Sequence, residues 1–213
     1  MNLKNKKEVN ETWAIIPARS NSKSIKSKNL QKISNKTLIE HAIIVSRKTK
    51  LIKRTFVSTK KKSILNKSIR WGSEKTELRN RRFARDNATD FDVVKDFLDT
   101  WLKRNNIYPK YLILLRPTTP LRNFKLLNNA IKKFRKLKSH DSMLSVSRMS
   151  EPAFKKLIIR KGKLYPILKK MKLDDANKPR QFFNNTYSGN GYLDIIKTKN
   201  IFNGSYLGKN CFP

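Results

Sequence analysis

The sequence is poor in the residues that build metal cages and nucleophilic active sites. It has a single cysteine, Cys211, and two histidines, His41 and His140. One cysteine excludes an intrachain disulfide framework and a cysteine-rich zinc site, and two histidines are too few for a histidine-based metal cage. Neither histidine has the context of a Ser-His-Asp or Cys-His arrangement, so we do not expect nucleophilic catalysis by the protein.

Acidic residues are scarce as well. The 213 residues include 50 Lys and Arg but only 15 Asp and Glu, which gives a formal net charge of +35. Such a charge is typical of proteins that bind nucleic acid or an anionic membrane surface. The lysines occur in every segment and not in one tail, however, which favours cations spread over solvated helix faces. Non-specific binding of nucleic acid stays open as an alternative.

Long hydrophobic runs are also missing. No apolar stretch approaches the ~20 residues of a membrane span. Lys4, Lys6 and Lys7 are not followed by an apolar core, so the N-terminus lacks the features of a secretory signal. We therefore expect a cytoplasmic protein with no membrane partner, in which residues 1–11 are a disordered polar leader.

Short apolar runs alternate with amphipathic helical patterns over residues 12–213. Strands are predicted at 13–16, 55–59, 111–115, 142–147 and 192–196, with a weak one at 68–71. Helices are predicted at 37–48, 91–104 and 123–137, with a short one ending near 67. This alternation predicts a single α/β domain with a mostly parallel central sheet. Residues 154–159 and 163–167 flank Arg160-Lys161-Gly162, which predicts an antiparallel hairpin excursion.

The stretch 12–30 organises the rest of the chain. A buried strand, Trp13 to Ile16, is followed by a loop of small polar and cationic residues, and Thr37 and Glu40 fit a capping box at the next helix. Open α/β sheets bind anionic ligands where a strand ends in such a loop. The loop has neither a Walker A nor a GxGxxG pattern. A phosphate or carboxylate site and a solvated basic loop are equally compatible with it.

Further cations follow other predicted strands or lie in the adjoining loops. They are Arg79, Arg116, Arg122 and Arg180. Because the carboxyl ends of parallel strands share one edge, these side chains are expected to converge on one crevice. Converging Arg and Lys suit a triphosphate and a carboxylate. Phosphoryl-type transfer, which needs positioning and charge neutralisation more than a reactive side chain, fits this arrangement.

Five motifs resemble those of a known protein family, and they occur in the family's order over nearly the whole chain. They are Pro17-Ala18-Arg19-x-Asn21-Ser22-Lys23 with Lys28-Asn29-Leu30, Arg79-x3-Phe83-Ala84-x-Asp86, Leu114 to Arg122, Asp175-Ala176-Asn177-x-Pro179-Arg180-Gln181, and Asn190 to Ile195. The chain resembles the acylneuraminate cytidylyltransferases (CMP-sialic acid synthetases). The resemblance implies a Rossmann-like three-layer nucleotidyltransferase fold. It also implies an enzyme that joins CTP to a nine-carbon α-keto acid sugar and releases pyrophosphate.

The resemblance assigns site residues by position. The nucleotide-binding set is Arg19, Asn21, Ser22, Lys23, Asn29 and Arg79, with Arg19 and Lys23 as the catalytic residues. The substrate-binding set is Arg116, Lys155, Arg180, Gln181 and Asn190. The resemblance further implies a homodimer, in which an excursion at about 152–188 reaches toward the partner's site.

The sequence departs from the family pattern at several positions. Ser24 stands where glycine is usual, Asn184 where proline is usual, and Arg116 where glutamine is frequent. The sequence stops at Pro213, before the segment in which the family carries a strand, a helix and an Asp-x-Asp motif that binds Mg²⁺. Mg²⁺ is therefore implied, but its ligands are not identified in this sequence.

Other carboxylates could in principle hold the metal, although helix capping and loop solvation are their expected roles. They are Asp86, Asp90, Asp174 and Asp175. Two alternatives to an active CMP-sugar synthetase stay open. One is an inactive relative that binds nucleic acid or another polyanion through its basic surface. The other, weaker one is a sugar-nucleotide transferase that uses UTP or another base.

Overall fold

The computed structural model describes residues 3, 5–19, 25, 27–85 and 87–213, and they build an α/β fold around a six-stranded sheet. In chain order the elements are β1 Lys7–Pro17, β2 Lys32–Ile33, β3 Lys36–Thr37, α1 Leu38–Lys48, β4 Ile52–Ser58, α2 Lys62–Arg70, α3 Asp90–Leu102, β5 Ile107–Leu114, α4 Phe124–Lys136, β6 Ser142–Arg148, β7 Leu157–Arg160, β8 Lys163–Pro166, β9 Tyr187–Lys197, α5 Thr198–Phe202 and β10 Cys211–Phe212.

The strand order in the central sheet is β10-β6-β9-β5-β1-β4. Strand β1 is parallel to both β4 and β5, β10 is parallel to β6, and β9 is antiparallel to β5. The expected mostly parallel sheet is confirmed. Short hairpins lie outside it, β2 with β3 and β7 with β8.

Strand β1 is buried on both faces, as a central parallel strand should be. Ala14 and Ile16 pack with side chains of α1 and α4, whereas Trp13 and Ile15 pack with side chains of α3. Trp13 contacts Trp101 edge to face at 5.4 Å. The alternation of side chains along one strand therefore produces the predicted three layers.

The disordered leader predicted for residues 1–11 is wrong for Lys7 to Glu11. These residues form the first half of β1, because they pair with β5 in the register Lys7 with Ile107 and Val9 with Pro109. Their polar side chains lie on a half-exposed part of the sheet, so local hydrophobicity gives no signal for a strand. Tertiary pairing decides the structure here.

The helices agree with the predicted amphipathic segments. Helix α1 begins with the predicted capping box, since Thr37 accepts from the Glu40 N–H and Glu40 accepts from the Thr37 N–H. The weak strand predicted at 68–71 is wrong: α2 continues to Arg70, with Ile64 and Ser68 buried one turn apart. Among the described residues, no helix combines the length and the apolar character that crossing a lipid bilayer requires.

The chain divides into two compact units. One comprises residues 1–144 and 191–213, and the other is 145–190, wider than the predicted excursion at 152–188. The second unit contains the expected hairpin of β7 and β8. Its two-residue turn, Lys161-Gly162, has positive φ at both positions (47° and 73°), the geometry that matches the twist of paired strands.

Candidate functional site

Asn29, which the resemblance assigns to nucleotide binding, contacts the backbone at the end of β1. Asn29 donates from Nδ2 to the carbonyl oxygen of Arg19 at 2.9 Å, which joins the two ends of the loop. Of the other predicted residues in this loop, Asn21, Ser22 and Lys23 lie outside the described residues, as does Ser24. The structure therefore gives Asn29 a loop-closing contact.

The guanidinium of Arg19 lies at the carboxyl end of β1 and is anchored to the segment that precedes α3. Its Nη2 donates to the carbonyl oxygen of Ala88 at 2.9 Å, whereas the residue as a whole is exposed. One edge of the guanidinium is thus fixed at the sheet edge where anionic ligands bind in open α/β folds.

Arg79 is a buried cation in the same part of the sheet. Its Nε donates to Ser58 Oγ at 2.9 Å and its Nη2 to the Ser58 carbonyl, at the carboxyl end of β4. Burial, and then the charge of Arg19, lowers the pKa of Arg79 to about 10. Its buried Nη1 has no hydrogen-bond partner within the described portion of the chain. A buried donor of this kind is costly unless a ligand or water satisfies it.

A cavity of about 810 Å³ opens beside this arginine. Its lining consists of Lys60, Lys61, Leu78, Arg79, Asn80 and Arg81. Four of these six side chains are cationic, so the cavity suits an anionic ligand. The structure therefore places Arg79 in a basic cavity at the carboxyl end of β4, and Arg19 at the carboxyl end of the neighbouring strand β1.

Arg116 is already paired with carboxylates. Its Nη1 and Nη2 contact Asp194 Oδ1 at 3.0 Å and Oδ2 at 2.6 Å, and Nη2 also contacts Asp90 Oδ2 at 2.5 Å. Tyr206 donates its hydroxyl to Asp194 Oδ2 at 2.9 Å. Burial alone would lower the pKa of Arg116, but the hydrogen bonds and charges of Asp194 and Asp90 raise it above its ordinary value. Arg116 is therefore not an uncompensated cation awaiting a substrate carboxylate.

Arg122 also differs from the expectation that it would face a ligand. Its guanidinium donates to four backbone carbonyls, those of Tyr192, Thr119, Arg116 and Gly191. Burial lowers the pKa of Arg122 to about 10. Arg122 thus ties the loop after β5 to β9 and has a structural role.

The other predicted sugar-side residues lie in the unit 145–190. Asn190 donates to Ser147 Oγ at 3.0 Å and accepts from Ser145 Oγ at 2.6 Å. Lys155 donates from Nζ to the carbonyl of Lys178 at 2.7 Å. Arg180 and Gln181 are exposed side by side in a 3-10 helix, Arg180–Phe182.

The sequence-based reasoning missed the residues that surround Arg116. Asp194 is 1% exposed within an apolar strand, and a buried carboxylate needs a cation or donors beside it. An aspartate inside the run Tyr192 to Ile196 is the signal that could have identified this cluster. Asp90, the first residue of α3, is likewise neither a cap nor a solvated loop residue, because it pairs with Arg116.

The described residues do not include a group of three or more His, Cys, Asp or Glu side chains placed to hold a metal ion. Asp90 is paired with Arg116. Asp175 accepts the Lys172 N–H and pairs with Lys178, as expected for a capping carboxylate. Asp86 lies outside the described residues. The carboxylates that the structure describes therefore do not fit a preformed Mg²⁺ site.

Known proteins resemble this chain in sequence. Residues 13–159 match the family model described as cytidylyltransferase. The chain is 28% identical over 208 residues to the post-translational flagellin modification protein B of Campylobacter coli, which covers 95% of this chain and 84% of that protein. It is 29% identical over 154 residues to the CMP-N,N'-diacetyllegionaminic acid synthase of Legionella pneumophila, covering 71% of this chain and 64% of that one.

The fold also has solved counterparts. A structure of CMP:2-keto-3-deoxy-manno-octonic acid synthetase complexed with CTP superimposes with a TM-score of 0.62 at 16% identity, covering 91% of this chain and 77% of that chain. At this identity the similarity establishes the nucleotidyltransferase fold. The expected Rossmann-like fold is thereby confirmed.

Proposed function

The chain belongs to the cytidylyltransferase family, and we propose that it joins CTP to a sialic-type nonulosonic acid, giving the CMP-sugar and pyrophosphate. The observation that carries the proposal is the pair Arg19 and Arg79 at the carboxyl ends of two adjacent parallel strands. Arg19 is exposed, and Arg79 is buried with a donor that has no partner among the described residues. The name of the Legionella pneumophila relative, CMP-N,N'-diacetyllegionaminic acid synthase, supports the choice of sugar class. The family match does not favour the alternative of an inactive polyanion-binding protein.

The proposed reaction is an in-line displacement at phosphorus. The anomeric hydroxyl of the sugar forms a bond to the α-phosphorus and loses its proton, while the bond from that phosphorus to the bridging oxygen breaks and pyrophosphate leaves. Negative charge builds on the leaving oxygens, so fixed cations lower the barrier. Arg19 and Lys23 are proposed to supply them.

The nucleotide half of the proposed site lies along the carboxyl edge of the sheet. Arg79 donates to the bound nucleotide, and its fixed guanidinium requires little reorganisation because Ser58 already holds two of its nitrogens. Asn21 and Ser22 are kept as nucleotide contacts on the resemblance alone. Asn29 is proposed to act through its hydrogen bond to the Arg19 carbonyl.

The sugar half is proposed to use Lys155, Arg180, Gln181 and Asn190. The exposed guanidinium of Arg180 suits the sugar carboxylate, because planar two-point hydrogen bonding to carboxylates is a property of arginine. Arg116 is not kept as a direct carboxylate ligand, since its two partner aspartates outnumber its single positive charge.

We also propose a Mg²⁺ requirement, a cytoplasmic location and a homodimer. The metal is proposed from the resemblance, and no step above depends on it.

The dimer is supported by nine exposed large apolar side chains within the unit 145–190: Leu157, Ile159, Leu164, Tyr165, Ile167, Leu168, Leu173, Phe182 and Tyr187. An apolar surface of this kind marks an interaction site. Sedimentation at several concentrations tests it, and a monomer throughout would contradict the dimer.

The test of function is a calorimetric titration of CTP, UTP, ATP and GTP in the presence of Mg²⁺ at ~0.15 M salt. We expect clear selectivity for CTP, and CMP-sugar and pyrophosphate on addition of a nonulosonic acid. Equal, salt-sensitive binding of all four would overturn the proposal, and preference for UTP would favour the other transferase.

An activity assay of variants tests the role proposed for Lys23 in the loop after β1. We expect Lys23→Ala to abolish CTP-dependent product formation with an unchanged melting temperature. The control is Lys132→Ala on the basic face of α4, which removes the same charge and should leave turnover unchanged. Full turnover by Lys23→Ala would contradict the role given to Lys23.

A further inference from the structure

Four side chains of the same compact unit form a half-buried network beside the proposed nucleotide site. Arg116 lies at its centre and contacts both carboxylate oxygens of Asp194 and one of Asp90. Tyr206 donates its hydroxyl to Asp194. Side-chain exposure falls from 34% at Asp90 through 26% at Arg116 to 1% at Asp194. The network therefore runs from a partly exposed helix start into the core of the sheet.

Arg116 compensates the charge of the buried Asp194, which is 1% exposed. A neutral side chain at position 116 would remove that cation and leave the Tyr206 hydroxyl as the other side-chain donor to Asp194 among the described residues. Gly191 adopts φ +69°, a backbone conformation that residues with a Cβ rarely take, and it lies beside the loop after β5: a Cβ there would make ordinary contacts, 3.5 Å from Thr119 Oγ1 and 4.0 Å from Arg116 Cδ. Strand β9 and the loop after β5 thus meet beside the arginine.

The network reaches Arg19 through the backbone of the segment that precedes α3. Asp90 stands two residues after Ala88, and the Ala88 carbonyl accepts the guanidinium of Arg19. An Asp90 fixed by Arg116 therefore restrains the carbonyl that orients Arg19.

We propose that Arg116 and Asp90, braced by Asp194 and Tyr206, are positioning residues that hold Arg19 in the orientation required to bind the nucleotide phosphates. This inference rests on the proposed function. It gives Arg116 a different role from direct contact with the sugar carboxylate. It predicts that disturbing Asp90 weakens CTP binding through Arg19 and leaves the fold intact.

The experiment measures CTP binding by calorimetry, with Mg²⁺ and without sugar, for Asp90→Asn and a matched control. Asp99→Asn is the control, because it removes the same charge from the same helix and its partner is the exposed Lys95. We expect D90N to weaken CTP binding about tenfold, as for loss of one charge-assisted hydrogen bond, and D99N to leave it unchanged. Equal affinities in D90N and D99N overturn the inference.

A double-variant cycle separates positioning from general structural damage. In an Arg19→Ala background, D90N should weaken CTP binding no further, since the residue through which Asp90 acts is gone. A full D90N effect in that background overturns the inference. If D90N does not fold, Asp90→Glu is used, which keeps the charge but shifts the contact by one methylene. We then expect a loss of about threefold, and unchanged affinity overturns the inference.

The wild-type titration distinguishes a failure of the proposed function from a failure of the positioning network. Absence of CTP selectivity in the wild-type protein refutes the proposed function. Selective CTP binding that is indifferent to Asp90 refutes only the positioning network.

Discussion

Removing Arg116 should destabilise the protein far more than removing an exposed arginine. The variant Arg116→Met leaves Asp194, 1% exposed, without its cation. Breaking a buried ion pair by removing one partner costs ~3–5 kcal/mol. Because Arg116 is 26% exposed and Asp90 is 34% exposed, solvent reduces this penalty, and we expect about 2–4 kcal/mol.

The matched control is Arg104→Met. Arg104 pairs with Glu77 at 2.8 Å, with side chains that are 72% and 45% exposed, so its loss should cost about 0–1 kcal/mol. Both variants remove one positive charge, so any effect of net charge is the same in each. Urea unfolding followed by tryptophan fluorescence is a suitable assay, because Trp13, Trp71 and Trp101 all lie in the unit that contains the central sheet.

A second substitution tests the physical reason. In Arg116→Met/Asp194→Asn no uncompensated charge is left at position 194, and Tyr206 still has an acceptor there. We expect the double variant to recover at least half of the lost free energy of unfolding. The reasoning is refuted if Arg116→Met costs no more than Arg104→Met, or if Asp194→Asn adds to the loss.

Three further predictions concern other parts of the fold. Thr37→Ala removes the cap that accepts the Glu40 N–H and should lower the free energy of unfolding by about 1 kcal/mol, measured in urea; no change would contradict the cap. Hydrogen bonds from backbone N–H groups, chiefly that of Lys209, lower the pKa of Asp141. The stabilisation from these bonds is therefore present above the ordinary carboxyl pKa and is lost as the pH falls through the lowered pKa. Hydrogen exchange at Lys209 should accelerate in that acid range in the wild type, and an Asp141→Asn variant should lack this acid step. Gly208→Ala should lower the melting temperature, because φ is +74° and the new Cβ would stand 2.4 Å from Asp141 Cβ; an unchanged melting temperature would show that the turn relaxes at no cost.

The order of elements was predictable because local signals and tertiary structure agree over most of the chain. The capping pair Thr37 and Glu40, the apolar stripe of α3 and the hairpin turn at Lys161-Gly162 each specify a structure that packing then uses. Prediction of secondary structure failed where pairing with another strand determines the conformation. The segment Lys7 to Glu11 has no strand pattern of its own and becomes β-structure by pairing with β5.

The candidate site was predictable in the same partial way. Motif position places Arg19 directly after β1, whereas Arg79 follows α2 and reaches the carboxyl end of β4 through its contacts with Ser58. It did not distinguish cations that await a ligand from cations already satisfied inside the protein. Arg116 and Arg122 have the same sequence context as ligand-binding arginines, but their partners, Asp194 and the carbonyls of β9, come from about seventy residues away along the chain.

The burial of Arg79, Arg116 and Arg122 has a practical consequence in so basic a protein. Raising the ionic strength from 0.1 M to 1 M shortens the screening distance from ~10 Å to ~3 Å, which suppresses attraction between exposed lysines and any polyanion. Buried guanidiniums are screened much less, because ions do not enter the protein around them. Salt can therefore be used to remove the background of the fifty cations and leave the contribution of those few that are built into the fold.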